Sequence, residues 1–431
     1  MVKVAFIGAG SVEFTRNVVT DLCVFAELHG DLELAFHDID ATRLGYADAL
    51  ARRISAQTGS GARVSSDLDR LAAVEGADYV INAVQVGGYR ATRADFDIPA
   101  RYGVRQTIGD TIGIGGISRG LRTLPVAMGI GEDLAKVAPD AYLLNYSNPM
   151  AMLPWGVYAG TPFQRVVGLC HSVRDTHAFL ASAVGEQVHD VRFVTAGFNH
   201  QAFVLTFERD GVDLYPRLRE VIEGDPELQR RVRVELFRHF GYFPTESSEH
   251  SAEYVPWFMR HDGEVDRFRI FVGDYLQRSE RNIDEYEATR RELEDEATLA
   301  VRPTSEMASE IIYAQQTGTR HELYVNVRND GLISNLPQGC CVEVPAVVDR
   351  DGVHAQAVGT LPPHLAALNR TFLNVAELTV RAVLEGDREH VYHAALLDPN
   401  TSATLTMRQT RELCDELLRA HGDLIPAALR P

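Results

Sequence analysis

The sequence predicts an α/β fold: a Rossmann-like, doubly wound and mostly parallel sheet, followed by an α+β C-terminal domain. Three observations lead to this prediction. The first forty residues follow the order strand, glycine turn, helix, strand and acid. Short apolar runs then alternate with helical patterns as far as about residue 195, which is typical of a parallel sheet. Beyond that residue, charged helical stretches are mixed with strand-like ones.

The N-terminal stretch is a candidate dinucleotide-binding βαβ unit. The apolar run 2–7 predicts a buried strand, GAGS predicts a tight turn, and the apolar spacing over 14–22 predicts a helix. A second strand, 32–36, precedes an acid. Glycines would let the backbone approach a pyrophosphate at the positive end of the helix, and the acid would bind the ribose hydroxyls. The candidate cofactor-binding residues are Gly8, Gly10, Ser11 and Asp38.

Asp38 would also repel a 2′-phosphate, so the motif favours NAD over NADP. The match to the six-residue fingerprint is incomplete, because Glu13 stands at the third glycine and Asp38 lies further along than the usual ~20 residues. A buried glycine turn in an ordinary doubly wound sheet therefore remains an alternative on this motif alone.

Composition excludes several classes of protein. A chain of 431 residues with 45% hydrophobic content is typical of a globular protein of one or two domains. A net charge of −18 argues against a nucleic-acid partner, and no apolar run approaches the ~20 residues of a membrane helix. Five cysteines and the lack of a secretory signal predict a reducing, cytoplasmic location without disulfides.

Polar residues follow the predicted strands where each strand ends. A helix over 41–57, which Asp40 would cap, and a helix over 117–137 alternate with strands at 78–84, 141–146 and 165–169. Ligands of parallel sheets bind beyond the carboxyl ends of the strands. We therefore expect one cleft to contain Asp38, Gln85, Asn148 and Cys170. Further on, we predict helices over 216–240, 274–316 and from 361, and a hairpin with an Asp-Gly turn within 342–362.

Cys170 and His200 lie in the polar turns LCHSV and GFNHQ. A thiolate and an imidazole are able to hold a divalent metal, and their softness suggests zinc. However, thirty residues separate them and neither belongs to a CxxC or HExxH pair. Pattern alone favours a small buried cysteine and a hydrogen-bonded histidine.

Residues 245–258, TESSEHSAEYVPWF, are crowded with polar and aromatic side chains. This density fits a general acid/base site or a solvated loop equally well. Tyr254 would need a metal-bound hydroxyl or a nearby cation to act as a base, because its usual pKa is near 10. Asp110 is a turn residue or a member of the site, and Asn148 binds a sugar hydroxyl or caps its loop.

Ten ordered motifs together resemble glycoside hydrolase family four, and most closely its α-galactosidase branch. They span residue 2 to about 427 and include IGAGS, QTIGDTIGIGGISRGLRTLPV, NYSNPMAM, VGLCHSV, GFNHQAF, TESSEHSAEYVPWF and NVRNDGLISNLPQGCCVEV. The resemblance implies an architecture like that of lactate and malate dehydrogenases. It also implies an NAD-binding domain at 1–195 and a domain at 196–431 for substrate, metal and oligomerisation, in a homodimer or homotetramer.

The resemblance further implies an unusual hydrolysis of α-glycosides that uses NAD and a divalent metal, typically Mn²⁺. NAD takes hydride from C3 of the sugar, a base removes the C2 proton, and the C1–O bond is eliminated. Water then adds to C1 and the hydride returns. Because Glu13 is shared with the family, it does not argue against NAD binding.

Residue by residue, the resemblance makes Cys170 and His200 the metal ligands and Asn148 a substrate-binding residue. Tyr254 aligns with the base and Asp110 with an acid that tunes it. Other branches have an aspartate proton donor directly after the cysteine, where this chain has His171, so His171 is only a candidate donor.

Two other readings stay open. An α-galacturonidase of the same family would need a positive residue near the sugar C6, and Arg90 and Arg93 are candidates. The other reading is an ordinary dehydrogenase or a non-catalytic NAD-binding protein.

Overall fold

The structure, a computed structural model, describes residues 1–295 and 298–431, without the side chains of residues 12 and 13. Its strands are β1 Val2–Ile7, β2 Leu32–His37, β3 Arg63–Asp67, β4 Tyr79–Asn82, β5 Tyr142–Asn145, β6 Val166–Gly168, β7 Arg192–Phe198, β8 Gln201–Arg209, β9 Val212–Asp213, β10 Phe243–Pro244, β11 His321–Arg328, β12 Cys341–Asp349 and β13 Gly352–Ala355.

The helices are interspersed with these strands along the chain. They are α1 Val12–Val24, α2 Ala41–Thr58, α3 Arg70–Val74, α4 Gly88–Arg101, α5 Gly113–Val137, α6 Leu153–Gly160, α7 Ser172–Ala183, α8 Tyr215–Gly224, α9 Val232–Phe240, α10 Ser248–Tyr254, α11 Asp262–Arg267, α12 Asp274–Glu294, α13 Met307–Thr317, α14 Pro363–Glu385, α15 Glu389–Leu397, α16 Pro399–Thr404 and α17 Met407–His421. No helix in the described part of the chain is long and apolar enough to span a membrane.

The strands form one mixed sheet in the order β10-β8-β7-β12-β11-β6-β5-β4-β1-β2-β3, with β13 beside β12 and β9 beside β8. The run from β3 to β6 is parallel and has the 3-2-1-4-5-6 order of dinucleotide-binding sheets. This confirms the predicted Rossmann-like half. The remaining strands pair antiparallel and extend the sheet beyond β6. Residue 195 lies inside β7, so the sheet crosses the predicted domain boundary, and the two-domain division stays a prediction.

One row of backbone partners crosses nearly the whole sheet. It contains, in spatial order, Asp67, His37, Ile7, Asn82, Asn145, Gly168, Asn326, Glu343, Gly197 and Ala202. Beyond Ala202, its carbonyl accepts the N–H of Thr245. The row marks the edge of the sheet at which the parallel strands end. Every strand-end residue that the sequence singles out follows this row by a few positions.

Most predicted elements are present, and the differences have local causes. Asp40 caps α2 as predicted, since its carboxylate accepts the N–H groups of Thr42 and Arg43. The predicted helix 216–240 is two helices, α8 and α9, because Asp225-Pro226 ends the first. The predicted helix 274–316 is α12 and α13, separated by a segment with Pro303, and its residues 296 and 297 lie outside the described residues.

The hairpin is also present, with Arg350 and Asp351 at its turn and Asp349 paired with Gly352. The polar stretch 245–258, for which the sequence favoured no structure, contains the short helix α10. Ser247 caps this helix by accepting the N–H of His250. A seven-residue helix is too short to show a clear apolar period, so the capping serine was the only sequence signal for it.

A buried ion-pair network joins α4, α5 and α17. Arg122 donates to Asp95, with 3.1 Å between Nη1 and Oδ1, and His421 Nε2 lies 2.8 Å from the same oxygen. The side chains of all three are at most 3% exposed. Burial raises the pKa of Asp95, but Arg122 and His421 outweigh burial and hold it below its usual value. The last long helix is thus attached to the Rossmann half through Asp95.

We expect Arg122→Leu to lower the free energy of unfolding by about 3–5 kcal/mol, because it removes the guanidinium from the buried Asp95 carboxylate and leaves only His421 beside it among the described residues. Urea denaturation followed by circular dichroism measures this change. The matched control is Arg93→Leu, which breaks the exposed Arg93–Asp97 pair on the same helix α4 and should cost less than about 1 kcal/mol. Equal costs for the two variants would contradict the role given to burial.

Candidate functional site

Three metal-ligating side chains meet at the row of strand ends. Cys170 follows β6, His200 follows β7 and Glu246 follows β10. The Cys170 Sγ lies 3.0 Å from His200 Nε2 and 4.0 Å from Glu246 Oε1, and the last two atoms are 3.9 Å apart. All three ligand atoms lie within 4.8 Å of one another. We call this group the donor cluster.

The donor cluster fits a divalent cation. Thiolate sulfur, imidazole nitrogen and carboxylate oxygen are the usual protein ligands of divalent transition metals. Burial, together with the negative charges of Glu246 and Glu343, raises the pKa of the Cys170 thiol, so a nearby cation is what would favour its ligating thiolate form. His200 is 3% exposed, and its Nδ1 has no hydrogen-bond partner among the described residues.

The sequence indicated Cys170 and His200 but missed Glu246 as a third donor. Sequence pattern alone could not distinguish Glu246 from the other acidic residues of TESSEHSAEY. Glu246 has a φ of 71°, which is uncommon for a residue other than glycine. Its backbone carbonyl accepts a 2.8 Å hydrogen bond from the Arg233 guanidinium, and its carboxylate lies 3.2 Å from His250 Nδ1. Burial raises the pKa of Glu246, but His250 and His200 outweigh it and hold the pKa well below the usual range.

Asp110 and Asn148, both predicted site residues, are in contact. The Asn148 amide donates to Asp110 Oδ2 at 2.9 Å, and Arg119 lies 3.7 Å from the same oxygen and donates to the Asn148 carbonyl. The second carboxylate oxygen of Asp110, Oδ1, and the single side-chain oxygen of Asn148, Oδ1, are buried without a partner among the described residues. Two such acceptors fit the hydroxyl donors of a sugar.

Tyr254 is fully buried behind the donor cluster. Its hydroxyl accepts the N–H of His200 at 3.1 Å and donates to Thr111 Oγ1 at 2.9 Å. Burial raises the pKa of Tyr254 well above its usual value, and these two hydrogen bonds offset burial only in part. The prediction that this tyrosine needs a cation to act as a base is consistent with this environment.

His171 is paired with a carboxylate that the sequence did not indicate. Its Nε2 lies 2.9 Å from Glu306 Oε2, which also accepts from the Tyr146 hydroxyl at 3.1 Å. The hydrogen bond that His171 donates to Glu306 raises the pKa of His171, against the effect of burial. Glu306 lies 135 residues further along the chain, so sequence spacing could not connect the pair.

The glycine turn after β1 is built against β2. Gly8 has a φ of 78°, and Gly10 donates its N–H to Asp38 Oδ2 at 2.8 Å. A Cβ on Gly10 would lie 2.7 Å from the Arg43 Cβ, so only glycine fits there. Asp38 also accepts the N–H of Asp40, which leaves carboxylate lone pairs for further hydroxyl donors. Ser11 makes no side-chain cap to α1 within the described residues, so the helix N–H groups are available to a pyrophosphate.

A cleft of about 470 Å³ opens beside Glu246. Ser172, Asp175 and Glu249 line it together with several arginines. Arg231 makes no ion pair with any described residue, whereas Arg278 pairs with Asp274. Arg90 and Arg93, the sequence candidates for a positive residue near a sugar, are exposed on α4 and do not line this cleft.

A dinucleotide-type sheet with a sulfur, nitrogen and oxygen donor cluster at its strand ends defines a Rossmann-class enzyme with a metal-dependent site. Two family models match this chain, Family 4 glycosyl hydrolase over residues 3–186 and Family 4 glycosyl hydrolase C-terminal domain over residues 195–401. The chain therefore belongs to family 4 of the glycosyl hydrolases, which confirms the resemblance seen in the sequence.

Two relatives are similar over nearly the whole chain. An α-galactosidase of Bacillus subtilis is 41% identical and covers 99% of both chains. An α-galacturonidase of the same organism is 28% identical and covers 92% of this chain and 93% of its own length.

Two solved structures share the fold. The 6-phospho-β-glucosidase of Thermotoga maritima, solved with manganese, NAD⁺ and glucose-6-phosphate, has a TM-score of 0.81 at 21% identity and covers 99% of each chain. A Plasmodium falciparum malate dehydrogenase has a TM-score of 0.51 at 15% identity over 92% of this chain and all of that one. The dehydrogenase-like architecture predicted from the sequence is therefore confirmed.

We expect Glu246→Gln to weaken Mn²⁺ binding by at least about tenfold, because the amide removes a charged ligand from the donor cluster. Cys170→Ser should do the same. Titration of the metal-stripped protein with Mn²⁺ in a calorimeter measures both affinities without turnover. Glu249→Gln is the matched control, because Glu249 also lines the cleft but is not in the donor cluster. Unchanged affinity in both cluster variants would rule out this metal site.

Proposed function

We propose that the protein is an NAD- and divalent-metal-dependent α-galactosidase. The donor cluster Cys170, His200 and Glu246 carries the proposal, because it lies at the same strand ends as the glycine turn of the dinucleotide motif. The α-galactosidase that is 41% identical over almost the full chain supports galactose as the sugar. The manganese and NAD⁺ in the Thermotoga maritima enzyme support the choice of cofactors.

The two cofactors have separate binding residues in this proposal. Gly8, Gly10, Ser11 and Asp38 hold NAD, which supplies reversible oxidation at the sugar C3. Cys170, His200 and Glu246 hold Mn²⁺ or another divalent cation, which supplies Lewis-acid stabilisation of charge on the sugar oxygens.

The remaining site residues bind the sugar and move protons. Asn148 Oδ1 and Asp110 Oδ1, which have no partner among the described residues, accept hydrogen bonds from the sugar hydroxyls. Tyr254 would accept the C2 proton as a phenolate, a form that burial disfavours and that a cation in the donor cluster would favour, and the His200 N–H donates to its oxygen. His171 gives a proton to the leaving glycosidic oxygen, and Glu306 orients its ring. With the C2 proton removed and the leaving oxygen protonated, the C1–O bond breaks by elimination.

We further propose that residues 1–195 form the NAD-binding domain and 196–431 the domain for substrate, metal and oligomerisation, in a cytoplasmic homodimer or homotetramer. Cys23, Cys170, Cys340, Cys341 and Cys414 are all free thiols. This state is in keeping with a reducing compartment.

We expect release of nitrophenol from 4-nitrophenyl α-galactoside to require both NAD and Mn²⁺, with no net accumulation of NADH, because hydride removed at C3 returns in the same turnover. Absorbance at the nitrophenol and NADH bands follows both quantities. Galactose recovered from heavy water should carry deuterium at C2, since the base exchanges the proton it has taken for a solvent deuteron before C2 is protonated again.

Turnover without NAD, or product without deuterium at C2, would contradict the proposal. Stoichiometric production of NADH would instead indicate a dehydrogenase. Tight NAD binding with no turnover of any glycoside would indicate a binding protein.

An α-galacturonidase is the second candidate, and the arginines of the cleft favour it. Arg231 lines the cleft without a carboxylate partner among the described residues, and guanidinium groups bind carboxylates in a bidentate manner. The α-galacturonidase that is 28% identical over most of the chain supports the same reading.

Paired nitrophenyl substrates separate the two candidates. The galactosidase proposal predicts a higher kcat/KM for the galactoside than for the galacturonide, and no more than about a twofold change in Arg231→Gln. Activity on the galacturonide alone, lost by about tenfold or more in Arg231→Gln, would establish the second candidate instead. Arg93→Gln is the control, because Arg93 is exposed on α4 and pairs with Asp97.

A further inference from the structure

We propose that Glu253 is a positioning residue: its buried carboxylate fixes the loop 107–111 and so sets where Asp110 and Thr111 stand in the site. The roles of Asp110 and Tyr254 in this proposal rest on the function proposed above. Glu253 itself faces the backbone of the loop and acts through it.

The loop surrounds this carboxylate with backbone donors. Oε2 accepts the N–H of Thr107 at 2.9 Å and that of Ile108 at 3.2 Å, while Oε1 accepts the N–H of Gly109 at 2.9 Å. The side chain is on a residue only 2% exposed, so water does not compete for these bonds. Three consecutive N–H groups around one carboxylate form an anion-binding nest. Here the bound anion is the Glu253 carboxylate of helix α10.

A second contact from the same helix fixes the start of the loop. Thr107 Oγ1 donates to the Glu249 backbone carbonyl at 2.7 Å, one turn of α10 before Glu253. Outside α10, the N–H of Gly273 binds the Gln106 carbonyl and that of Tyr275 binds the Thr107 carbonyl. These contacts end at residue 107, so Glu253 is the main anchor found for the amides of 108 and 109.

Residues 110 and 111 depend directly on this anchor. Asp110 follows the third donor and binds the Asn148 amide, and Thr111 accepts from the Tyr254 hydroxyl. The loop has little room to relax, since Gly109 has a φ of 57° and a Cβ there would lie 3.0 Å from the Phe96 ring. Loss of the carboxylate therefore moves the amides, and Asp110 and Thr111 with them.

The test compares Glu253→Gln and Glu253→Ala with the wild type. We expect kcat/KM for the nitrophenyl galactoside to fall by at least about tenfold in both, because one charged hydrogen bond is worth about that much. The Kd for NAD, measured by fluorescence titration, should change by less than about twofold, since no hydrogen bond among the described residues joins the glycine turn 8–11 to Glu253 or to the loop 107–111. Asp349→Ala is the control: Asp349 also accepts a backbone N–H, but at the far hairpin turn.

Added formate separates positioning from general damage. In Glu253→Ala the nest is vacated, so formate should restore part of kcat in a saturable way, whereas in Glu253→Gln the amide blocks it. Wild-type kcat/KM in both variants would overturn the proposal. So would equal losses in kcat/KM and in NAD affinity without rescue by formate.

Amide hydrogen exchange gives a measurement that does not depend on turnover. The amides of 107–109 should exchange at least about tenfold faster in Glu253→Ala than in the wild type, with formate reversing the change. Faster amide exchange in Glu253→Ala, in a protein that hydrolyses no galactoside, would support the role of Glu253 and reject the proposed function. Unchanged exchange in an active enzyme would reject the anchor alone.

Discussion

The register of the sheet is the constraint on which the site depends. One row of paired residues runs from His37 in the parallel half through Gly168 to Gly197 in the antiparallel half. Cys170, His200 and Glu246 follow this row by one to three positions, although 76 residues separate the first from the last. Because side chains alternate between the two faces of a strand, a slip of one residue would turn a whole strand's donors away from the others.

This constraint explains which residues of the site could be predicted from the sequence. The parallel half has buried strands followed by single polar residues, so Asp38, Asn148 and Cys170 were predictable as neighbours at one edge. The antiparallel half offers no such rule. Within the described part of the chain, β7 is joined to the parallel half only through β12 and β11, which pair through Glu343 and Asn326, and both of these strands lie more than 100 residues downstream of β7. Glu246 and Glu306 were missed because local patterns contain no information about these pairings.

Electrostatics adds a second constraint at the same place. Glu343 lies in the row, fully buried, and accepts hydrogen bonds from Asn199 and Asn326. Burial raises its pKa to about 7, despite the opposing effect of His200. Burial also raises the pKa of Cys170, so two acidic groups are held in an environment that disfavours their charged forms. A divalent cation in the donor cluster would reverse that balance, which couples metal binding to the protonation of the cluster.

Helix α10 joins the two sides of the site. Its capping residue Ser247 directly follows Glu246, its His250 contacts the Glu246 carboxylate, and its last turn carries Glu253 and Tyr254. The same seven residues thus contact the donor cluster and the 107–111 loop, which carries Asp110. Within α10 the Glu249 carbonyl and the Glu253 carboxylate both bind Thr107 of the loop, while His250 contacts Glu246 just before the helix. The placement of the donor cluster relative to Asp110 is therefore set by this one helix rather than by two independent loops.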